Sequence, residues 1–581
     1  MRPLARTLVA VASVVVTASS AGTAVADGNG IPRDSRFDMP YQGFMPASTV
    51  LQNSSPQAEG LDPAPIDSAL TAVDGWTRPS GTTRPLYAGA VTLLAHNGKV
   101  VTKNATGMAL KYADGNGTEL PADQQIPMRT DTIFDMASVS KLFTSIVIVQ
   151  LIQAGKVDLE APVATYVPEF GENGKGAIPV RQLLTHTSGL PEWLPLWSAY
   201  PTPQDRIHAA LTTKLKNPPG STYLYSDINL IDLGVLAERV TGKPLDQLVR
   251  EGITEPLGMT DTGYNPDPSK LNRIAATEYQ ASPPRGMVWG SVHDENAWSL
   301  GGIAGHAGVF STADDMAKLA QALLNGGSYR GHRILSEDSV DKMITNYNQA
   351  YPGNSHGLGF ELDLIWYMAG LSGPRTAGHT GYTGTSVVID FDSRSFAILL
   401  TNRVHPSRNW GSNNPARREV TQALAQALAV KPADGPSSWY SGIRDASTAT
   451  LTVPVAVPAE GAQVRFDLFV HSENTDLLWL ESSSDGGATW QPVPFQVRRG
   501  STTTDTYGSI GGTSVREWGR ATANLAAGVQ QLRWRYRTDS LYFGRGMNVD
   551  GIKVVSGDQM ILNGERHPDL FTAVGWRLTN R

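Results

Sequence analysis

A serine and a lysine stand three positions apart at the start of a long apolar stretch, and this arrangement restricts the possible folds more than any other feature. Ser138 and Lys141 directly precede the apolar run 142–152. Three positions make nearly one helical turn, so the two side chains are predicted to project from the same face of a helix. Because the run is apolar on almost every side, we expect this helix in the interior of a large domain.

The predicted surroundings of Lys141 point to acid–base chemistry at Ser138. Burial disfavours the charged form of an amine, so the pKa of Lys141 is expected to fall. A neutral amine beside a hydroxyl group can accept its proton, which makes Ser138 a candidate nucleophile. The positive end of the helix dipole lies where negative charge would develop on a substrate oxygen.

A second copy of the same spacing provides an internal control. Ser339 and Lys342 also stand three positions apart, but Ser336, Glu337 and Asp338 precede them. This polar and acidic context is typical of the start of a surface helix. We interpret the second pair as structural.

Length and composition indicate more than one domain. The chain has 581 residues, more than a single hydrophobic core usually supports. Hydrophobic residues make up 40% and charged residues 18%, a balance typical of packed domains. Strand-like runs mix with helical patterns over residues 58–432, which predicts an α+β domain.

The pattern changes after residue 432. Val464, Phe466 and Leu468 alternate with Arg465 and Asp467, a period of two that is typical of strands with one buried face. Short segments of this kind between glycine, serine and aspartate turns predict an all-β sandwich of jelly-roll type over residues 433–581. We expect each of the two domains to have its own core.

The N-terminal residues are typical of an exported protein. Residues 1–26 combine a basic start, a short apolar run over 8–16 and small residues at Ala24 and Ala26, which predicts a signal peptide cleaved after Ala26. The apolar run is too short to span a bilayer, so no membrane anchor is expected. Residues 27–57 are rich in Pro, Ser, Gly and Asn and are interpreted as an extended leader over the surface. The mature chain is therefore expected to be secreted.

Charge and cysteine content exclude several classes of partner and site. A formal net charge of −6 gives no basic surface for a phosphate backbone, so no nucleic-acid partner is expected. The chain has no cysteine, so stability must come from core burial, and thiol nucleophiles and cysteine–zinc sites are excluded.

Two further motifs follow Ser138 and Lys141 along the chain. Tyr225-Ser226-Asp227 comes first, and the segment 378–384, which contains His-Thr-Gly, leads directly into a strand-like run. The order Ser-x-x-Lys, Tyr-Ser-Asp, His-Thr-Gly resembles the serine β-lactamase-like and penicillin-binding protein family, which includes class C β-lactamases, DD-carboxypeptidases and esterases. The resemblance covers roughly residues 58–430, with further landmarks at 183–190 and 255–259. It implies an antiparallel sheet with helices on both faces and a helical subdomain.

The resemblance also implies roles for individual residues. Ser138 would be the acylated nucleophile, Lys141 its partner, and Tyr225 first a base and then an acid. A tyrosine can act as a base only if flanking cations lower its pKa, so a lowered pKa is expected. The backbone N–H groups of Ser138 and Tyr382 would form the oxyanion hole. The residues expected to bind substrate are Asp227, His379, Thr380 and Gly381, and no metal or cofactor is implied.

Two positions depart from the commonest form of these motifs. Asp227 stands where the family usually has asparagine, and a carboxylate cannot donate a hydrogen bond to a substrate carbonyl. His379 stands where most β-lactamases have lysine. Both changes favour small peptide or ester substrates over β-lactams.

We therefore expect a secreted D-Ala-D-Ala carboxypeptidase-like serine hydrolase; the alternatives are a carboxylesterase, a weak class C-type β-lactamase, or a non-catalytic penicillin- or cell-wall-binding protein. The C-terminal domain would contact cell wall or glycan.

A second polar cluster invites comparison with a metal site. Residues 293–296 read His-Asp-Glu-Asn, and the glycine-rich segment 301–308 follows them. Zinc sites of this kind use a recognised spacing such as His-Glu-x-x-His, which is not present at this place. We interpret the cluster as a metal-free, glycine-rich wall of the active-site cleft.

Overall fold

The computed structural model describes residues 32–513 and 515–581. The predicted signal sequence, residues 1–26, lies outside the described residues, and its cleavage stays a prediction. Within the described part, the helices are all too short or too polar to cross a bilayer.

The N-terminal α+β domain is built around one large sheet. Its strands are antiparallel to their neighbours, apart from Gln52–Asn53, which pairs in parallel with Lys99–Leu110. Every residue of strand Gly89–His96 is buried, because helices cover both faces of the sheet. The expected α+β architecture is confirmed. From one edge to the other the strands are Gln52–Asn53, Lys99–Leu110, Gly89–His96, Ser395–Thr401, Ser386–Asp390, Thr376–Thr380 and Glu361–Leu362.

The helices form two groups around this sheet. Pro63–Gly75 and Asn414–Ala427 pack on one face, where Val73 and Leu424 share a core with sheet residues. Ser140–Gln153 lies in the larger core on the other face and is buried on almost every side, as its sequence predicts. The remaining longer helices are Pro203–Thr212, Asp227–Thr241, Ala313–Leu324 and Glu337–Met343.

The C-terminal domain consists of two antiparallel sheets with a core between them. In strand Gln531–Arg537 the buried residues Leu532, Trp534 and Tyr536 alternate with more exposed arginines, because successive side chains of a strand point to opposite faces. The expected all-β domain of antiparallel sheets is confirmed. Its longer strands are Thr448–Pro454, Ala462–His471, Leu477–Ser483, Gln496–Arg499, Gly519–Leu525, Gln531–Arg537, Gly546–Ser556 and Gln559–Asn563.

The two domains share a buried interface. Phe469 of the C-terminal domain belongs to the same apolar cluster as Phe37 and Leu424 from the N-terminal part of the chain. Arg516 forms a buried ion pair with Asp390 at 2.6 Å, although the two residues come from different domains. The leader takes part as well, because the backbone N–H of Phe37 donates to the carbonyl of residue 429 at 2.7 Å. The two domains therefore pack against each other through buried side chains, and the exact domain boundaries stay a prediction.

Candidate functional site

The candidate nucleophile lies in the turn that leads into the buried helix. Ser138 belongs to the short 3-10 turn Ala137–Val139, directly before helix Ser140–Gln153. Lys141 Nζ lies 2.9 Å from Ser138 Oγ, and the lysine side chain is only 1% exposed. The structure therefore brings the two residues together as their spacing predicts.

The backbone before Ser138 adopts a conformation that few side chains tolerate. Ala137 has φ of 47°, in the left-handed region, which costs about 1–3 kcal/mol for a residue other than glycine. The Asp135 carboxylate holds this turn in place, because one oxygen accepts from Ala137 N at 2.9 Å and the other from His293 N at 2.6 Å. Sequence reasoning missed Asp135, although an acidic residue two positions before such a turn is a recognisable signal.

Gly381 acts on the same turn from the opposite side. A Cβ atom at Gly381 would lie 2.4 Å from the carbonyl oxygen of Met136 and 2.1 Å from Thr385 Oγ1. Only glycine therefore allows the end of strand Thr376–Thr380 to approach the backbone that carries Ser138. This packing role accompanies the substrate-binding role that we predict for Gly381.

Lys141 has three polar neighbours besides Ser138: Asp227, Tyr225 and the backbone carbonyl of His306. Its Nζ lies 2.7 Å from Asp227 Oδ1 and 3.2 Å from the carbonyl oxygen of His306. Burial acts to lower the pKa of Lys141, but Asp227 and Tyr225 together outweigh burial and hold the pKa above its ordinary value. The expected fall in the pKa of Lys141 is therefore wrong, and the resting lysine is charged.

Tyr225 completes the cluster. Its ring lies 4.9 Å from Lys141 Nζ, and it lines the same cavity as Ser138. Burial raises the pKa of Tyr225 to about 12, because it outweighs the opposing effect of Lys141. The expected lowering is therefore wrong, and the resting tyrosine is a neutral phenol. The ring of His186, 4.6 Å from the Tyr225 ring, packs beside it.

A cavity of about 330 Å³ opens at Ser138. The predicted residues His379, Thr380, Gly381 and Tyr382 all line this cavity together with Tyr225. Asp227 instead pairs with Lys141 at the first turn of helix Asp227–Thr241, so the structure gives it a different neighbour from the predicted substrate. The remaining lining residues are Glu361, Trp366, Arg403, Ser412, Asn413, Asn414 and Arg417.

His379 is buried and neutral at this wall. Its Nδ1 lies 2.8 Å from the carbonyl oxygen of Thr380, so Nδ1 carries the hydrogen and Nε2 is left as an acceptor. Burial, and after it the charge of Lys141, lower the pKa of His379 to about 3. His379 therefore does not supply the positive charge that a lysine would bring to this position.

The charged residues of the cavity wall were not predicted from the sequence. Glu361 is buried on the edge strand, and burial raises its pKa to about 7. Arg417 donates to the carbonyl oxygens of Gly381 at 2.7 Å and Thr385 at 3.1 Å, and thereby fixes the end of the neighbouring strand. No local motif marks Glu361, Arg403 or Arg417, because they come from three separate elements.

The second polar cluster forms hydrogen bonds between histidines and carboxylates beside the cleft. His293 Nε2 lies 2.9 Å from Glu278, and His306 Nε2 lies 2.9 Å from Asp294. Gly305 packs against helix Asp227–Thr241, where a Cβ atom would lie 1.8 Å from the carbonyl oxygen of Leu230. This segment therefore presents the His306 carbonyl to Lys141, and its glycine makes the close packing feasible.

Comparison with known proteins agrees with the motifs. Residues 82–422 match the family model described as Beta-lactamase. A protein of Escherichia coli K12 named "Putative D-alanyl-D-alanine carboxypeptidase" is 33% identical over 408 residues, which cover 64% of this chain and 90% of the relative. A protein of the same name from Salmonella typhimurium is 31% identical over 392 residues, covering 61% of this chain and 87% of the relative.

Solved structures are more distant in sequence. A penicillin-binding protein homologue from Caulobacter crescentus is 22% identical, with a TM-score of 0.49, and covers 64% of this chain and 99% of that chain. The family model covers more than half of the chain and spans all three motifs. The chain belongs to the β-lactamase family of serine hydrolases.

Proposed function

We propose that the protein is an acyl-enzyme hydrolase with Ser138 as nucleophile, and that its substrates are peptides ending in D-alanine. One observation carries this proposal: the Ser138 hydroxyl lies 2.9 Å from Nζ of the buried Lys141, at the mouth of a cavity that Tyr225 also lines. Nucleophilic hydrolases need such a hydroxyl beside groups that can carry its proton away. The names of the Escherichia coli and Salmonella relatives support the carboxypeptidase activity.

The proton path follows from the charge states of the resting site. Lys141 Nζ contacts both Ser138 Oγ, at 2.9 Å, and Asp227 Oδ1, at 2.7 Å. As Ser138 attacks the substrate carbonyl, its proton passes to Lys141 while another proton of Lys141 passes to Asp227. The lysine stays charged throughout, and Asp227 becomes neutral. A charged lysine is thus compatible with activation of the serine.

The neutral Tyr225 then serves as the acid. It donates its proton to the leaving amine as the peptide bond breaks, which a phenol can do and a phenolate cannot. The resulting phenolate regains a proton from Lys141, which recovers one from Asp227. Hydrolysis of the acyl-enzyme runs the same transfers in reverse, with water in place of the leaving amine, and restores Ser138.

The charges of the cavity favour an anionic end of the substrate. Arg403 and Arg417 both line the cavity and outnumber the acidic Glu361, whereas His379 is neutral there. A free carboxylate of a C-terminal D-alanine would be attracted by two guanidinium groups, which suit carboxylates geometrically. This supports a peptide with a free C-terminus over a neutral ester as the preferred substrate.

The location of the activity is part of the proposal. Cell-wall peptides lie outside the cytoplasm, and the signal sequence predicted over residues 1–26 would deliver the chain there. We propose that the C-terminal sandwich contacts cell wall or glycan. N-terminal sequencing of the exported protein tests cleavage after Ala26, and pull-down of the isolated chain with purified wall tests the contact.

A substrate panel tests the proposed activity. Release of D-alanine from a D-Ala-D-Ala peptide is expected to exceed turnover of a p-nitrophenyl ester and of nitrocefin in kcat/KM. Slow nitrocefin turnover is expected because Asp227, held by Lys141, stands where the family usually has an asparagine that can donate a hydrogen bond to the substrate. Ester turnover without D-alanine release would make the protein an esterase, and a stable adduct without turnover would make it a binding protein.

A further inference from the structure

Three carboxylates meet at one end of the C-terminal sandwich. Glu473 and Asp476 lie in the connection before strand Leu477–Ser483, and Asp539 follows strand Gln531–Arg537. The two strands pair with Leu477 opposite Arg537, so these connections are brought to the same end of the sheet. One carboxylate oxygen from each of the three acids lies within 4.8 Å of the others.

The central carboxylate of this acidic cluster has an unsatisfied oxygen. Asp476 is fully buried, and its Oδ1 accepts from Asp539 N at 3.0 Å. Among the described residues, its Oδ2 has no hydrogen-bond partner. A buried polar atom without a partner costs about 1–3 kcal/mol, and more when it is charged. The structure therefore leaves a position beside Asp476 that a ligand with positive charge would satisfy.

The charges around Asp476 have the same sign as its own. Glu473 and Asp539 place their carboxylates beside that of Asp476, so three acidic groups share one small region. Thr475 keeps two of these acids close to one another, because its hydroxyl contacts Glu473 Oε1 and Asp539 Oδ2. Like charges held together in this way repel each other unless a cation lies between them.

We propose that Glu473, Asp476 and Asp539 bind a calcium ion. All three supply carboxylate oxygens, the ligands that hard divalent cations prefer. Calcium–oxygen distances of about 2.3–2.6 Å let one ion contact oxygens about 5 Å apart, so a single calcium ion can reach all three carboxylates. Magnesium is the poorer fit, because it demands near-ideal octahedral geometry and gives up its water ligands reluctantly. The ion would cross-link the connection before strand Leu477–Ser483 to the segment after strand Gln531–Arg537.

Thermal unfolding and terbium luminescence of the full chain test this site. After chelation, excess calcium chloride is expected to raise the unfolding temperature of the C-terminal domain by about 5 °C, because only the folded state offers the three ligands together. Magnesium chloride at the same concentration is expected to give a smaller shift. Terbium emission excited through aromatic side chains should appear on binding and be competed away by calcium.

Two variants and a matched control decide the outcome. Asp476→Asn is expected to abolish both the calcium shift and the terbium signal, and Glu473→Gln to weaken both about tenfold in affinity. Asp558→Asn removes an exposed acid of the same domain and should keep the full response. A wild-type chain that does not respond to calcium overturns the proposal. So does terbium binding that survives in both cluster variants, because the ion would then be held by other residues.

Discussion

Two Ser-x-x-Lys segments of this chain have the same spacing and opposite surroundings. Lys141 is almost fully buried, and its Nζ contacts Ser138 Oγ and Asp227 Oδ1. The side chain of Lys342 is 50% exposed and pairs with Asp338 at 2.7 Å on the surface of helix Glu337–Met343.

The two serines differ in the same way. Ser138 lines the cavity and has the lysine and a tyrosine as neighbours. Ser339 is buried, accepts from Ser336 Oγ and donates to Gln153 Oε1 at 2.9 Å, so its hydroxyl is used within the fold. Spacing alone therefore does not create a nucleophile. What separates the pairs is an open cavity on one side of Ser138 and, on the other, a buried lysine that is paired with an aspartate.

The largest difference is expected when the two serines are replaced. Ser138→Ala should lower kcat/KM at least about 10³-fold, because no other group forms the acyl-enzyme. Ser339→Ala should keep kcat/KM within about twofold. Mass spectrometry after treatment with a fluorophosphonate locates the adduct. An adduct on Ser339, or one that survives in Ser138→Ala, would reverse the assignment of the two segments.

Replacement of the two lysines is expected to give the second-largest difference in kcat/KM. Lys141→Ala should lower kcat/KM about 10²–10⁴-fold, because it removes the group that moves the Ser138 proton. Lys342→Ala should leave the rate within about twofold, since a surface ion pair contributes at most about 1 kcal/mol.

The lysine comparison also needs a folding control. Lys141→Ala leaves Asp227 without its partner, so the double variant Lys141→Ala, Asp227→Asn checks that lost activity is not lost structure. Near-wild-type activity of a well-folded Lys141→Ala chain would remove Lys141 from the mechanism.

Replacing the aspartates that pair with the two lysines is expected to change kcat/KM less, and in a way that depends on pH. Asp227 raises the pKa of Lys141, and burial acts in the opposite direction, so the pKa should fall in Asp227→Asn. At neutral pH the variant lacks the final proton acceptor, and kcat/KM should drop about tenfold. Activity should then recover as pH rises and Lys141 becomes neutral, whereas the wild type should show no such rise.

The matched partner on the second segment is Asp338. Asp338→Asn should leave the pH profile of kcat/KM unchanged, because its lysine takes no part in the reaction. A series of kcat/KM values with a p-nitrophenyl ester between neutral and alkaline pH measures both profiles. Identical profiles for Asp227→Asn and the wild type would exclude Asp227 from proton transfer.

The smallest effect concerns stability alone. Ser339→Ala removes a buried hydrogen bond to Gln153, which should lower the free energy of unfolding by about 1 kcal/mol. Urea denaturation followed by circular dichroism measures this change. Unaltered stability would mean that water replaces the lost bond and that the second segment has no structural role.

Much of this molecule could be predicted from local sequence patterns. The buried helix Ser140–Gln153 follows from an apolar run, and the strands of the C-terminal domain follow from a period of two. The order of the three motifs indicated the family, and with it the residues that line the cavity with Ser138. These patterns can be recognised without a structure, because periodicity and motif spacing depend only on neighbours along the chain.

The protonation states of the site residues depend on contacts that only the tertiary structure reveals in full. Asp227 reaches Lys141 from another helix and reverses the expected shift of the lysine pKa, while burial keeps Tyr225 protonated. Glu361 and Arg417 enter the cavity from distant elements, and the acidic cluster around Asp476 forms only when two strands pair. Proton affinity depends on burial and on charges a few ångströms away in space, and neither quantity is encoded in the spacing of residues along the chain.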